Sequence, residues 1–229
     1  EATALEQRWP DAAARPPLFG ALVGVKDIFR VDGFETRAGS QLPPEALAGP
    51  EAASVRQLKN AGALIVGKTV TTEFAYFGPG PTRNPHNAKH TPGGSSSGSA
   101  AAVAAGLAEI TLGTQTIGSI VRPASFCGVV GFKPSYDRVS RAGVIPLSPS
   151  LDHVGPFAAN VADVQRASAA LIPDWRSNVT PDAPIIGVPG GPYLQHADLE
   201  MRLHFAEHRV DAETFDDALA LVRRRLLRG

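Results

Sequence analysis

Residues 93–106 read GGSSSGSAAAVAAG: a Gly-Gly turn, a serine run, then alanines. By composition alone a Gly/Ser run is a flexible linker. Its place between a tight turn and an alanine-rich stretch argues instead for a helix from Ser95 to Gly106 with serines at its start, small enough to lie close to neighbouring backbone. Elements alternate on either side of it. Upstream, Leu22, Val23 and Val25 read as a strand that ends at Lys26. Residues 50–61, within GPEAASVRQLKNAG, form an amphipathic helix with Val55, Leu58 and Ala61 on one face, closed by Gly62. A short buried strand follows from Ala63 to Val66. Residues 78–94, rich in Pro, Gly and Asn, read as loop.

Downstream, Glu109 to Gly113 and residues 128–134 read as strands. Asn160 is placed to cap a helix through Val164 and Leu171. Ile185 to Val188 gives another strand. A terminal helix runs from Asp211 to Arg228, with Phe215, Leu219, Val222 and Leu226 on one side. Strands alternating with helices predict an α/β architecture. No internal repeat or separate linker is visible.

Composition limits the function classes. The 229 residues carry 22 basic and 22 acidic side chains and are 43% apolar, which suits a soluble globular chain with a sizeable core. A neutral chain has no electrostatic reason to seek nucleic acid or an anionic membrane. The basic run Arg223 to Arg225 reads as a solvated helix face. One cysteine, Cys127, excludes an internal disulfide and favours a reducing compartment. No apolar stretch has bilayer-spanning length, and Glu1 to Arg15 does not read as a signal peptide. Cytoplasm is the expected location.

Three motif matches compete for the chemistry. Gly62 to Thr69, GALIVGKT, fits the P-loop pattern letter by letter, yet its variable positions are apolar and belong to a buried strand, not to an open phosphate-cradling turn. Gly94 to Gly98, GSSSG, fits a nucleophile elbow centred on Ser96, with Asp152 or Asp182 and then His196, His204 or His208 as partners. That elbow requires a strand where HTPG reads as loop. His86 and His90 have helical metal-ligand spacing, but Pro85 and Pro92 disfavour a helix and no carboxylate completes a site.

The third constellation spans three stretches: Gly24-Val25-Lys26-Asp27, the Gly-Gly-Ser-Ser-Ser-Gly run, and Gly113 to Pro123, GTQTIGSIVRP. Taken singly, Lys26 is a lysine emerging from a strand end, and each serine a cap or turn residue. Taken together they form a catalytic set. A partly desolvated lysine can be neutral at working pH, and a neutral amine can accept a serine proton. Gly118 beside Ser119 lets consecutive amides converge on one oxyanion.

These residues resemble the amidase-signature family. The resemblance runs from about Pro17 to Pro156, and more loosely to Pro192, through PLFGALVGVKDIF, GALIVGKTVTTEFAYFG, TPGGSSSGSAAAVAAG, GTQTIGSIVRPASFCGVVGFKPS and SLDHVGPF. It implies a large mixed, twisted sheet with helices on both sides (α/β/α). It implies a Ser-Ser-Lys triad: Ser119 as nucleophile, Ser95 as proton relay after a cis Gly94–Ser95 bond, and Lys26 as base. The oxyanion hole would be the backbone amides of Thr116, Ile117, Gly118 and Ser119. The implied reaction is hydrolysis of a linear or cyclic carboxylic amide, with esters as a second option. The implied requirement for metal or organic cofactor is none. The expected partner is a small-molecule amide, with neither nucleic acid nor membrane, and a homodimer is the candidate assembly.

The sequence departs from the family in three places. Gln115 and Ile117 stand where many members have Asp and Gly, and Val121 separates Ile120 from Arg122 where the common form runs Ser-Ile-Arg. These departures favour a stand-alone amidase over a glutamyl-tRNA amidotransferase A-type subunit, which stays as an alternative beside the Ser96 esterase and a non-catalytic subunit. Family members are also longer. The expectation is one domain over residues 1–229, incomplete at the N-terminus and in the C-terminal half, with a gap near 208. Cys127 reads as a small core residue, Arg122 as an anchor of the loop, and Phe77 and Phe126 as pocket lining or core.

Overall fold

The computed structural model describes residues 2–176. In chain order these form α1 (Ala2–Arg8), β1 (Leu22–Lys26), α2 (Ala53–Asn60), β2 (Leu64–Thr69), α3 (Ser97–Ala104), β3 (Ile110–Gln115), α4 (Val121–Cys127), β4 (Val130–Gly131), β5 (His153–Ala158) and α5 (Val161–Leu171). The strands make one sheet in the order β2-β1-β3-β5-β4. β1 runs parallel to β2 and β3, and β5 runs antiparallel to β3 and β4, so the sheet is mixed as expected.

Strand periodicity divides the core between the two sheet faces. Ile110 and Leu112 of β3 and Val154 of β5 join Val55 and Leu58 of α2 and Val164, Ala167 and Leu171 of α5 in one large aliphatic cluster. Phe157, three residues after Val154 and so on the opposite face, packs with Ala100 and Val103 of α3 and Ile120, Ala124 and Cys127 around α4. Helices therefore flank both faces, in agreement with an α/β/α arrangement.

The α3 face is built for close approach. A methyl group at Gly98 would lie 2.2 Å from the backbone nitrogen of Val70, and one at Gly113 would lie 2.7 Å from Ser96 Oγ. The serines that the sequence places in the first turn do not cap it. Ser99 Oγ donates to Leu112 O at 2.9 Å and shares a 2.8 Å bond with Thr69 Oγ1, while Thr111 Oγ1 donates back to Ser99 O. Side-chain hydroxyls thus satisfy strand and helix groups across a gap too narrow for larger residues.

Several boundaries differ from expectation. Helix α3 begins at Ser97, and Ser95 and Ser96, which follow a cis Gly94–Ser95 bond, stay outside it. Strand β2 extends to Thr69 and is an edge strand, with Val66 49% exposed, so the expectation of a buried strand fails. β3 continues two residues past Gly113, to Gln115, and the strand read over 128–134 shrinks to Val130–Gly131. α4 and β5 are additional. The Asn160 cap is present, its Oδ1 accepting from Asp163 N at 2.9 Å. The strand at Ile185–Val188, the helix from Asp211, the run Arg223 to Arg225 and the gap near 208 lie outside the described residues. Among the described residues no helix is long and apolar enough to cross a membrane.

Candidate active site

Lys26 closes β1 and has 0% exposure. A buried ammonium needs partners for its protons, and the neighbouring strand and loop supply neutral ones: Nζ donates to Ser95 Oγ and to Thr114 Oγ1, both at 2.8 Å. Burial without a directly paired carboxylate pulls its pKa from 10.5 down to about 7, against an opposing pull from the Asp152 charge. Its amine can therefore give up its proton near neutrality.

Ser95 is buried, and two contacts fix its peptide. Ser95 O accepts from Thr72 N at 3.0 Å. The preceding carbonyl, Gly94 O, accepts from Arg122 Nε at 2.9 Å and Nη2 at 2.8 Å. Arg122 thus anchors backbone, as its sequence context suggested.

Ser119 lies in the turn between β3 and α4, 8% exposed. Its carbonyl accepts from Ser96 N at 3.3 Å, which sets it beside the Ser95–Ser96 step. Ser119 Oγ makes no hydrogen bond with a described residue, Ser95 included. The structure joins Lys26 to Ser95 by a side-chain bond and brings Ser119 alongside through the backbone.

The turn is held at its base. Gln115 Oε1 accepts from Ile120 N at 2.8 Å and Val121 N at 2.9 Å, folding the start of α4 back onto the end of β3. Between these anchors the amides of Thr116, Ile117, Gly118 and Ser119 donate to no described group. Four consecutive uncommitted amides beside a serine are free to receive a developing negative charge. Ile117 occupies the crest with 85% exposure. Thr116 Oγ1 donates to Asp152 Oδ1 at 2.5 Å.

The competing motifs resolve into structural roles. Ser96 has no exposure, and its hydroxyl both donates to Thr114 O and accepts from Thr114 N, so it is no exposed nucleophile; loop, not strand, precedes it. Its suggested partners His196, His204 and His208 and Asp182 lie outside the described residues. The P-loop lookalike contains strand β2, and Lys68 Nζ ties β2 to the segment after β1 through Asp27 Oδ1 at 2.6 Å and Thr36 Oγ1 at 3.1 Å. His86 and His90 sit in loop, His86 Nε2 against Cys127 O, and no metal-binding group of three or more His, Cys, Asp or Glu occurs among the described residues. Cys127 is core, its thiol pushed up to about 11 by burial. Phe77 and Phe126 are largely exposed.

Three site residues escape the sequence reading. Thr114 has no role there, Gln115 enters only as a departure, and Asp152 only as a partner for Ser96. The signal for Asp152 is its place in SLDHVGPF.

Comparison with known proteins gives a uniform picture. The family model described as Amidase matches residues 1–198. The glutamyl-tRNA(Gln) amidotransferase A subunit of Koribacter versatilis is 51% identical over 154 residues, covering 65% of this chain and 32% of that protein. Its counterpart in Synechococcus sp. (strain CC9605) is 43% identical over 192 residues, covering 81% and 39%. Among solved structures, native peptide amidase from Stenotrophomonas maltophilia superposes with a TM-score of 0.70 at 39% identity, covering 80% of this chain and 40% of that one. The glutamyl-tRNA(Gln) amidotransferase A subunit from Thermotoga maritima superposes with a TM-score of 0.66 at 38% identity, covering 69% and 36%. The chain thus spans at most 40% of the length of these four proteins.

Proposed function

The chain belongs to the amidase family, and from that premise we propose that it hydrolyses a carboxylic amide through a serine acyl-enzyme, with Ser119 as nucleophile, Ser95 as relay and Lys26 as base. The observation that carries this reading is the fully buried Lys26 amine, near-neutral in proton affinity, bonded to Ser95 Oγ at 2.8 Å.

In the proposed cycle neutral Lys26 takes the Ser95 proton while Ser95 takes the Ser119 proton, and Ser119 Oγ attacks the amide carbon. The oxyanion rests on the amides of residues 116–119. The leaving nitrogen receives its proton from Lys26 through Ser95, the carbon–nitrogen bond breaks, and the amine departs. Water then attacks the acyl-enzyme, its proton passing to Lys26 by the same route; that proton returns through Ser95 to Ser119 Oγ as the ester carbon–oxygen bond breaks, releasing the carboxylic acid and leaving Lys26 neutral again. General base catalysis of this kind supplies about 10²–10⁴ in rate, and each oxyanion donor about 10²–10³. Esters, with a better leaving group, fit the same cycle.

A second reading is supported by the relatives named as the A subunit of glutamyl-tRNA(Gln) amidotransferase, at 43–51% identity: a subunit that works within an amidotransferase assembly. A panel of amide substrates on the intact protein separates the two. Turnover by the isolated protein, abolished in Ser119→Ala together with fluorophosphonate labelling, supports the stand-alone amidase. Labelling without turnover on any amide favours the assembly. Undiminished turnover in Ser119→Ala rejects both.

A further inference from the structure

Antiparallel β3 and β5 end with the pair Gln115 and His153, and the next residues outward on the two chains are Thr116 and Asp152. Asp152 is 8% exposed, and both of its oxygens are occupied. Oδ1 accepts from Thr116 Oγ1 at 2.5 Å, and Oδ2 accepts from Leu147 N at 2.8 Å and Ser148 N at 2.9 Å. The carboxylate therefore fastens the first residue of the amide-presenting turn to the 147–152 loop. Gln115 fastens the far end through Ile120 and Val121. Nothing else among the described side chains bonds to residues 116–118 of this turn.

We propose that Asp152 is a positioning residue for amide hydrolysis, holding Thr116 and so the first amide of the oxyanion turn in register with Ser119. This rests on the proposed role of residues 116–119. A turn whose amides must point at one oxygen atom loses rate steeply with small displacements, so a clamp at each end has a kinetic consequence beyond stability.

The same carboxylate acts on Lys26. Side chains beside Lys26 or against the neighbours of Ser95 and Thr114 have bonds of their own. Asp27 and Lys68 neutralise one another in a 2.6 Å pair, Arg122 grips Gly94 O, and His153 Nδ1 lies against Gln115 O. Asp152 is the charge that favours the Lys26 ammonium. Its neutralisation makes Lys26 easier to deprotonate and carries the acid limb of the rate profile to lower pH. That displacement reads the Asp152 charge at Lys26, while the hydroxyl-dependent loss and recovery in the Thr116 variants read the clamp itself.

The test compares Asp152→Asn, Thr116→Val and Thr116→Ser in the intact protein, with active sites counted by fluorophosphonate titration. Thr116→Val lowers kcat per titrated site roughly tenfold or more with little change in KM, and Thr116→Ser, which keeps the hydroxyl, recovers most of the loss. Asp152→Asn lowers kcat similarly and moves the acid limb of kcat/KM to lower pH. An unchanged kcat in Thr116→Val, no recovery in Thr116→Ser, or an unmoved acid limb in Asp152→Asn overturns the proposal. Should Asp152→Asn not fold, the two Thr116 variants decide. Ser119→Ala separates the levels: an active Ser119→Ala defeats the triad itself, whereas an inactive one beside an unaffected Thr116→Val defeats only the role of Asp152.

Discussion

Lys26 and Ser95, 69 positions apart in the chain, meet through a buried 2.8 Å hydrogen bond. The strand end carries the amine inward, and the non-helical residues before α3 carry the hydroxyl to it. Burial destabilises the ammonium more than its two hydroxyl partners and the Asp152 charge stabilise it, so its pKa comes to about 7.

The first prediction follows from that balance. In the proposed cycle the free amine is the active form, so kcat/KM rises with pH through about 7 and then levels. Lys26→Met removes this limb and lowers kcat by about 10²–10⁴. A rate that is flat from acid to alkaline pH, or that survives Lys26→Met, rejects Lys26 as base.

Stability moves with the same group. The unfolded chain holds the Lys26 proton up to about 10.5 and the folded chain only to about 7. Between those values the unfolded state binds more protons, so stability increases with pH across the window and the full penalty persists below it. At about 1.4 kcal/mol per pH unit the penalty approaches roughly 5 kcal/mol. Lys26→Met is therefore more stable than the parent near pH 7, by a margin that shrinks toward pH 10. Chemical unfolding at the two pH values measures it; a margin independent of pH contradicts the assignment.

Gln115 yields a separate test, since its carbonyl oxygen is the partner of the Ile120 and Val121 amides. Gln115→Leu strands both donors and costs about 1–3 kcal/mol, with loss of activity as the turn loosens. Gln115→Glu keeps an acceptor at the same place and restores most of both. Equal behaviour of the two variants in urea unfolding and in turnover would argue that Gln115 contributes only volume.

Two glycines should respond oppositely to the same change. Gly98→Ala drives a methyl group into the backbone nitrogen of Val70, which cannot step aside as a side chain does. It costs about 1–3 kcal/mol or more and displaces the segment bearing Ser95. At Gly67, within the P-loop lookalike, a methyl group meets nothing within 4 Å. Gly67→Ala leaves stability within about 0.5 kcal/mol. Thermal melts of the pair check this, and a destabilised Gly67→Ala would contradict the exposed-edge placement of β2.

Much of this is legible in the sequence where the signal is local. The apolar spacing at Val55 and Leu58 announces α2, the alternation around Val23 and Val25 announces β1, and Asn160 three residues before Asp163 announces the cap of α5. Helix α4 escapes because VRPASFC is short and contains a proline and a serine. Gln115 and the packing of Ala124 and Cys127 hold it, not intrinsic propensity. Strand β5, HVGPFA, escapes because Gly and Pro weaken a strand signal that pairing on both edges overrides.

By itself the sequence determined the α/β alternation, the catalytic candidates and the dismissal of the phosphate-loop and metal readings, since these depend on residue type and spacing along one chain. Tertiary structure alone decided that β2 lies at an edge, that Ser96 is locked against Thr114, and that Asp152 reaches Thr116. The reason is physical: periodicity states which face of an element is apolar, but burial and charge proximity are properties of what packs against that face. The proton affinity of Lys26, on which the proposed chemistry turns, is therefore set by residues far from it in the chain.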